Sequence, residues 1–231
     1  MYETRLRENL PRVWEAIGAA ARRVGRREEE VTLVAVTKAH PPEALAAALS
    51  LGIVDLGENR IEEMEEKVRL LGREEATWHM VGHLQSRKAR EAVETADLIH
   101  SVDSLKLARR LSAFSVEEER VTPVLVQVNA SGEEAKSGFP PREAVEAIHE
   151  MVELPGVAIR GLMTMAPFVD DQKVLRQTFR KLRDVQEAAR AIPGYLGTEL
   201  SMGMTNDFEL AVEEGSTMVR IGTALFGERP R

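Results

Sequence analysis

No cysteine occurs in the 231 residues, which excludes disulfides, a thiolate nucleophile and cysteine-ligated zinc or iron–sulfur centres. Aromatic residues make up 4% of the chain, and its two tyrosines leave few sources for a phenolic acid or base. An excess of positive charge is also missing. The net charge of −7 argues against a general binder of nucleic acid or anionic membrane and confines any anion binding to a local pocket. No apolar run approaches the roughly 18 residues needed to cross a bilayer, and no charged-then-apolar leader is present, so the expected location is the cytoplasm. Neither G-x-G-x-x-G nor G-x-x-x-x-G-K-[ST] occurs, which removes the usual glycine loops for dinucleotides and nucleoside triphosphates.

What is present is alternation. Apolar residues make up 43% of the chain, ample for the core of one large domain. Leu6, Leu10, Val13, Trp14, Ile17, Ala21 and Val24 recur at three- and four-residue spacing and predict an amphipathic helix over about 3–24. Eight short apolar segments follow, expected as strands near 31–37, 53–57, 77–83, 97–101, 121–129, 157–163, 199–202 and 218–221. Helix-like segments separate them, including 86–95, 141–154, 206–214 and a long one over 170–191 with Val174, Phe179, Leu182 and Val185 on its apolar side. Strands alternating with helices indicate a parallel α/β sheet, and eight suggest closure. The expected fold class is a single-domain (β/α)8 TIM barrel over about 31–227 with an extra N-terminal helix. An open doubly wound sheet is the alternative, but it calls for a glycine fingerprint after the first strand, and none is there.

Active sites of such barrels lie at the carboxyl ends of the strands. The first strand ends in Val36-Thr37-Lys38, an amine that is either a rim residue or a working nucleophile. After the seventh strand comes Ser201-Met202-Gly203-Met204-Thr205, and across the end of the eighth runs Arg220-Ile221-Gly222-Thr223. Both loops offer small residues, hydroxyls and backbone N–H groups where barrels commonly bind phosphate. A lysine opposite a phosphate cradle suggests a phosphorylated aldehyde held as a Schiff base, with pyridoxal 5′-phosphate the candidate cofactor. Arg220 would donate to the ring nitrogen; the alternative is a salt bridge to Glu213 or Glu214. His79 and His83, four apart in an expected strand, would sit roughly 13 Å apart, too far to share a metal, and no metal site is expected. They read as structural or pocket-wall residues with Gln85 in the same polar layer, and His100 as a hydrogen-bonded structural residue. The pairs Met163/Met165 and Met202/Met204 read as pocket packing, and Lys136 as a second amine near the site or a solvated loop lysine.

The motifs Val34-Ala35-Val36-Thr37-Lys38, Gly57-Glu58-Asn59, Trp78-His79-Met80-Val81-Gly82-His83-Leu84-Gln85-Ser86, His100-Ser101-Val102-Asp103-Ser104, Lys136-Ser137-Gly138, Gly161-Leu162-Met163-Thr164-Met165, Ser201-Met202-Gly203-Met204 and Met218-Val219-Arg220-Ile221-Gly222-Thr223 run through nearly the whole chain. They resemble those of the YggS/PROSC pyridoxal-phosphate homeostasis family, whose fold is similar to the barrel domain of alanine racemase standing alone. The resemblance implies that Lys38 carries the cofactor, that Ser201, Gly222 and Thr223 bind its phosphate, that Arg220 faces the ring nitrogen and that Asn59 lies near the ring. His83, Met202 and Lys136 are expected as further pocket residues.

A racemase needs a second acid or base opposite the lysine. The resemblance would ask for a tyrosine from a further domain across a dimer, whereas Tyr2 and Tyr195 lie at no expected strand end. No catalytic residue is therefore assigned. The expected function is a monomer that binds and releases pyridoxal phosphate to maintain its supply, without substantial turnover. The alternatives are a weak amino-acid racemase using His83 or water, and an adaptor that hands cofactor to apo-enzymes.

Overall fold

The structure, a computed structural model, describes residues 2–228. The eight expected strands are β1 (Thr32–Val36), β2 (Asp55–Glu58), β3 (Thr77–Met80), β4 (Leu98–Val102), β5 (Thr122–Gln127), β6 (Val157–Met163), β7 (Glu199–Met204) and β8 (Met218–Ile221). All neighbouring pairs are parallel, and β8 pairs back onto β1 to close a barrel, with Val34 opposite Arg220. Around it lie α1 (Tyr2–Arg23), α2 (Pro42–Ser50), α3 (Ile61–Leu71), α4 (Ala89–Thr95), α5 (Leu105–Glu117), α6 (Pro141–Met151), α7 (Gln172–Ala189), α8 (Phe208–Glu213) and the single turn α9 (Thr223–Phe226). The chain is a (β/α)8 barrel with an additional N-terminal helix, as its alternating pattern implied.

Strand alternation divides the buried side chains into two compartments. Leu33 and Ala35 of β1 pack outward into the large core shared with the helices, whereas Val34 and Val36 form a separate cluster with Val81 inside the barrel. A second interior cluster joins Leu98, Leu125, Met163 and Met218. The outer core holds the fully buried Trp78, Phe179, Leu6 and Ile17, so α1 is an integral part of the packing. Its far end is tied down by Arg26, whose Nη1 donates to the carbonyls of Val212 at 3.0 Å and Ser216 at 2.9 Å. At about 25 cal/mol per Å² of apolar surface, a side chain such as Phe179 or Leu6 contributes roughly 2–3 kcal/mol by being covered.

Several local expectations shift. Asp171 caps α7 by accepting from the N–H groups of Lys173 and Val174, which sets the phase of the helix. Its buried stripe is then Leu175, Thr178, Phe179, Leu182, Val185, Gln186 and Ala189, and Val174 faces solvent. The segment expected as one helix over 86–95 is a 3₁₀ turn (Ser86–Lys88) followed by α4. β3 stops at Met80, so His83 lies in a loop and not in a strand. Gln85 is exposed and accepts from Arg87 Nε at 2.8 Å, outside any buried polar layer. Among the described residues, no helix is long and apolar enough to cross a membrane.

Candidate functional site

A cavity of about 1050 Å³ opens at the carboxyl end of the barrel. Lys38, Asn59, His83, Lys136, Arg220, Gly222 and Thr223 all line it, as do Val36, Val81, Met165, Met204, Thr205 and Asp207. Seven of the nine residues singled out in the sequence therefore meet at one place.

Lys38 is set by the end of β1 and clamped on both sides. Thr37, one residue before it, is buried; its hydroxyl donates to Glu58 Oε1 at 2.5 Å, and its carbonyl accepts from Lys67 Nζ at 2.8 Å. Ala39, one residue after it, has φ +58, a left-handed conformation that disfavours a residue with a Cβ. Its N–H donates to Glu63 Oε1 at 2.6 Å. Lys67 joins the two halves, with Nζ 2.6 Å from Glu58 Oε1 and 2.7 Å from Glu63 Oε1. Glu58 is wholly buried, and its Oε2 has no hydrogen-bond partner. Burial raises its pKa above the ordinary carboxylate value, while Lys67 and the Thr37 hydroxyl oppose that rise. Neither Glu63 nor Lys67 stood out in the sequence, where they are two of the many charges on α3, four residues apart.

Asn59 follows Glu58 at the end of β2. The loop after β3 reaches it because Gly82 has no side chain: a Cβ there would lie 2.2 Å from the Asn59 carbonyl oxygen. That loop also carries His83, which is largely exposed and pairs through Nδ1 with Asp103 at 3.1 Å. Lys136 is not a free loop lysine. Its Nζ donates to the Ala166 carbonyl at 3.0 Å and pairs with Glu133, bracing the loop after β5 against the loop after β6.

Arg220 is 5% exposed. Its Nη1 donates to Ser201 Oγ at 2.5 Å and its Nη2 to the Thr164 carbonyl at 2.9 Å. The alternative ion pairs to Glu213 and Glu214 do not form, because those carboxylates are bound by Arg23, Arg176 and Arg180. Burial lowers the Arg220 pKa to about 10, with Asp207 opposing, so the guanidinium stays charged at neutral pH. It presents a charge with donors and no acceptor to the cavity.

Ser201 and Met202 are not on the cavity wall. Ser201 points into the barrel but is fully buried, its hydroxyl held by Arg220 and by His100 Nδ1 at 2.9 Å. Met202, one residue on, turns outward into the helix-packed core, as a period of two requires. Met163 faces the barrel interior but is buried in the layer with Leu98, Leu125 and Met218 below the cavity, while Met165 and Met204, beyond or at the strand ends, line it. The small hydroxyl residue that the β7 loop brings to the cavity is Thr205, whose Oγ1 accepts from the Ala224 N–H at 3.4 Å and so joins the loops after β7 and β8. Gly203 makes this turn possible: its φ is +95, and a Cβ would lie 2.6 Å from that of Ala211. Gly222 passes close to β1, where an added Cβ would come within 3.2 Å of the Val36 carbonyl oxygen.

Residues 14–230 match the protein family described as alanine racemase, N-terminal domain. Over 222 residues the chain is 39% identical to the pyridoxal phosphate homeostasis protein of Aquifex aeolicus, covering 96% of this chain and 97% of that one. The chain belongs to this family. The pyridoxal phosphate homeostasis protein of Escherichia coli strain K12 is 40% identical over 230 residues, with coverage of 96% and 95%. Among solved structures, PipY of Synechococcus elongatus PCC7942 with pyridoxal phosphate bound is 38% identical at a TM-score of 0.80, covering 92% of this chain and 99% of that one. The similarity therefore spans the whole barrel, including both strands that meet at its closure.

Other groups are placed away from acid–base work at the cavity. Tyr195 is buried between α7 and β7, donates to Gln186 Oε1 at 2.6 Å and has a pKa pushed up to about 12 by burial. Tyr2 hydrogen-bonds His40 at 3.2 Å. Among the described residues, no group of three or more His, Asp or Glu is arranged to hold a metal ion.

Proposed function

We propose that this chain binds pyridoxal 5′-phosphate and maintains its supply, with Lys38 as the covalent tether of the aldehyde and no substantial turnover. The observation that carries the reading is Arg220. A buried, charged, donor-only group on the cavity floor suits an aromatic nitrogen that accepts a hydrogen bond, and across the barrel closure β1 supplies an amine. Thr205, Gly222 and Thr223 form the polar, small-residue end suited to a phosphate, and Asn59 stands beside the ring position. The donor set thus fits the three functional groups of the cofactor. When bound, the cofactor supplies an aldehyde that an amine captures reversibly and a ring that withdraws electrons from it.

An arginine at the ring nitrogen leaves that nitrogen unprotonated, which weakens the electron withdrawal a racemase exploits. A second acid or base is also wanting among the tyrosines: Tyr195 is locked in the core and Tyr2 is engaged by His40. His83 is the one cavity imidazole available to a racemase reading, and it is held by Asp103 at the exposed rim. The reading treats the barrel as one domain acting as a monomer, with apo forms of pyridoxal-phosphate enzymes as recipients. Purified protein mixed with pyridoxal phosphate should develop a visible absorption band that borohydride fixes and Lys38→Ala abolishes; failure to take up the compound would sink the proposal. Amino-acid α-proton exchange in deuterated water tests the absence of turnover, and rapid exchange yielding both enantiomers would restore the racemase reading. A pull-down comparing the parent chain with Lys38→Ala separates the carrier from a cofactor-independent adaptor, which would keep its partners.

A further inference from the structure

Beneath the cavity, five polar side chains from five strands form one continuous hydrogen-bonded line. Arg220 of β8 donates to Ser201 Oγ of β7 at 2.5 Å; Ser201 Oγ is 2.9 Å from His100 Nδ1 of β4; and His100 Nε2 is 2.9 Å from His79 Nδ1 of β3. His79 Nε2 ends the line 2.9 Å from Asp55 Oδ1 at the amino end of β2. Ser201 and His100 are fully buried and His79 is 2% exposed, while the Asp55 side chain is 28% exposed. The line therefore crosses the barrel interior from the cavity floor to the opposite rim.

With both rings neutral, the carboxylate end sets the direction of every hydrogen bond in the line. Arginine can only donate and a carboxylate can only accept. Asp55 requires the proton on His79 Nε2, leaving Nδ1 of the neutral ring as acceptor. His100 must then donate through Nε2 and accept at Nδ1, and the Ser201 hydroxyl must give its hydrogen to His100 while accepting from Arg220. The arginine end is compatible with this direction, since the Ser201 oxygen can accept from Arg220 while its hydrogen goes to His100. Burial, with His79 and Arg220 nearby, lowers the His100 pKa well below its ordinary value, consistent with a neutral ring that can accept.

We propose that Ser201, His100, His79 and Asp55 are positioning residues for Arg220: a one-directional hydrogen-bond relay, anchored on a carboxylate across the barrel, that holds the guanidinium where its remaining donors face the ring nitrogen of the ligand. This rests on the reading of the cavity as a pyridoxal-phosphate site. The relay also accounts for a buried arginine with no carboxylate in direct contact, since hydrogen bonds in a low-dielectric interior polarise one another along a chain.

Two measurements test it. In the ligand-free protein at neutral pH, ¹⁵N spectra should show both histidines neutral and protonated at Nε2, with a scalar coupling across the bond between His100 Nε2 and His79 Nδ1. A proton on His100 Nδ1, or an imidazolium at either position, would overturn the relay. In pyridoxal-phosphate titrations, Asp55→Leu should weaken binding about three- to tenfold, the effect of roughly one lost hydrogen bond. Asp55→Glu should restore binding to within twofold. Asp55 does not line the cavity, so a purely structural role predicts unchanged affinity, and that outcome refutes the positioning role. If the parent protein does not bind pyridoxal phosphate, the proposed function fails while the ¹⁵N spectra still decide the relay.

Discussion

Replacing Lys67 by methionine isolates the energetics of the clamp around Lys38. The ammonium makes three contacts of 2.6–2.8 Å, to the Glu58 and Glu63 carboxylates and the Thr37 carbonyl, with a side chain only 5% exposed against a Glu58 side chain at 0%. Methionine preserves much of the volume but strands the Glu58 carboxylate. Removing one partner of a buried ion pair costs about 3–5 kcal/mol, which for a chain of this size lowers Tm by roughly 6–20 °C. Lys67 opposes the upward shift of the Glu58 pKa, so its removal raises that pKa further. With the folded-state pKa above the unfolded one, the protonated acid favours folding and ionisation opposes it. The deficit of Lys67→Met is therefore smallest below the ordinary carboxylate range and grows as pH rises through it and through the raised folded pKa. Urea denaturation at several pH values measures this directly. Glu58→Gln combined with Lys67→Met removes both charges and should recover most of the loss. The reasoning is refuted if Lys67→Met costs less than about 1 kcal/mol at neutral pH, or if the double variant is less stable than the single one.

Three further perturbations have definite outcomes. Ala39→Gly relieves a left-handed backbone worth about 1–2 kcal/mol while adding unfolded-state entropy of roughly half that, so urea midpoints should show stability equal to the parent or up to about 1 kcal/mol higher. Gly203→Ala places a Cβ 2.6 Å from Ala211 at positive φ, and should cost about 2–4 kcal/mol by denaturation and weaken pyridoxal-phosphate binding through the β7 loop. Asp171→Ala removes the cap of α7 and should cost about 1 kcal/mol in calorimetry without changing ligand affinity, because Asp171 is not part of the cavity wall.

Strand and helix order was legible because it is written in local periodicity: the run 32–36 between charged and proline-rich flanks, or the three- and four-residue spacing of α1, needs no knowledge of distant partners. Lys38 and Arg220 were legible for a related reason, being charged residues abutting apolar strands. Boundaries were harder where the local signal does not change. Val81 prolongs the apolar run of β3, and only Gly82 hints that the chain has left the sheet to pass over Asn59. Lateral partnerships were not legible at all. That Ser201 serves Arg220 from behind, that His100 meets His79, and that Lys67 joins Glu58 to Glu63 follow from barrel closure and helix placement, which bring together strands and helices without a shared pattern. On α7 the expected apolar side holds at Phe179, Leu182 and Val185, and fails only in the first turn, where Leu175 and not Val174 is buried next to the cap at Asp171.

The pairing of the first strand with the last has a consequence for when the molecule can work. Lys38 and Arg220 stand on either side of the seam formed by β1 and β8, although almost the entire chain separates them in sequence. Neither half of the protein contains a site. During synthesis a nascent chain carries its amine for most of the time it is being made, but the opposing guanidinium emerges only with the final strand, so on the proposed reading the capture of ligand must wait for barrel closure. Ligand that binds the closed ring alone then acts as a latch on the seam, stabilising it by mass action. On the proposed reading, a truncated or half-folded chain has no complete pocket with which to hold ligand.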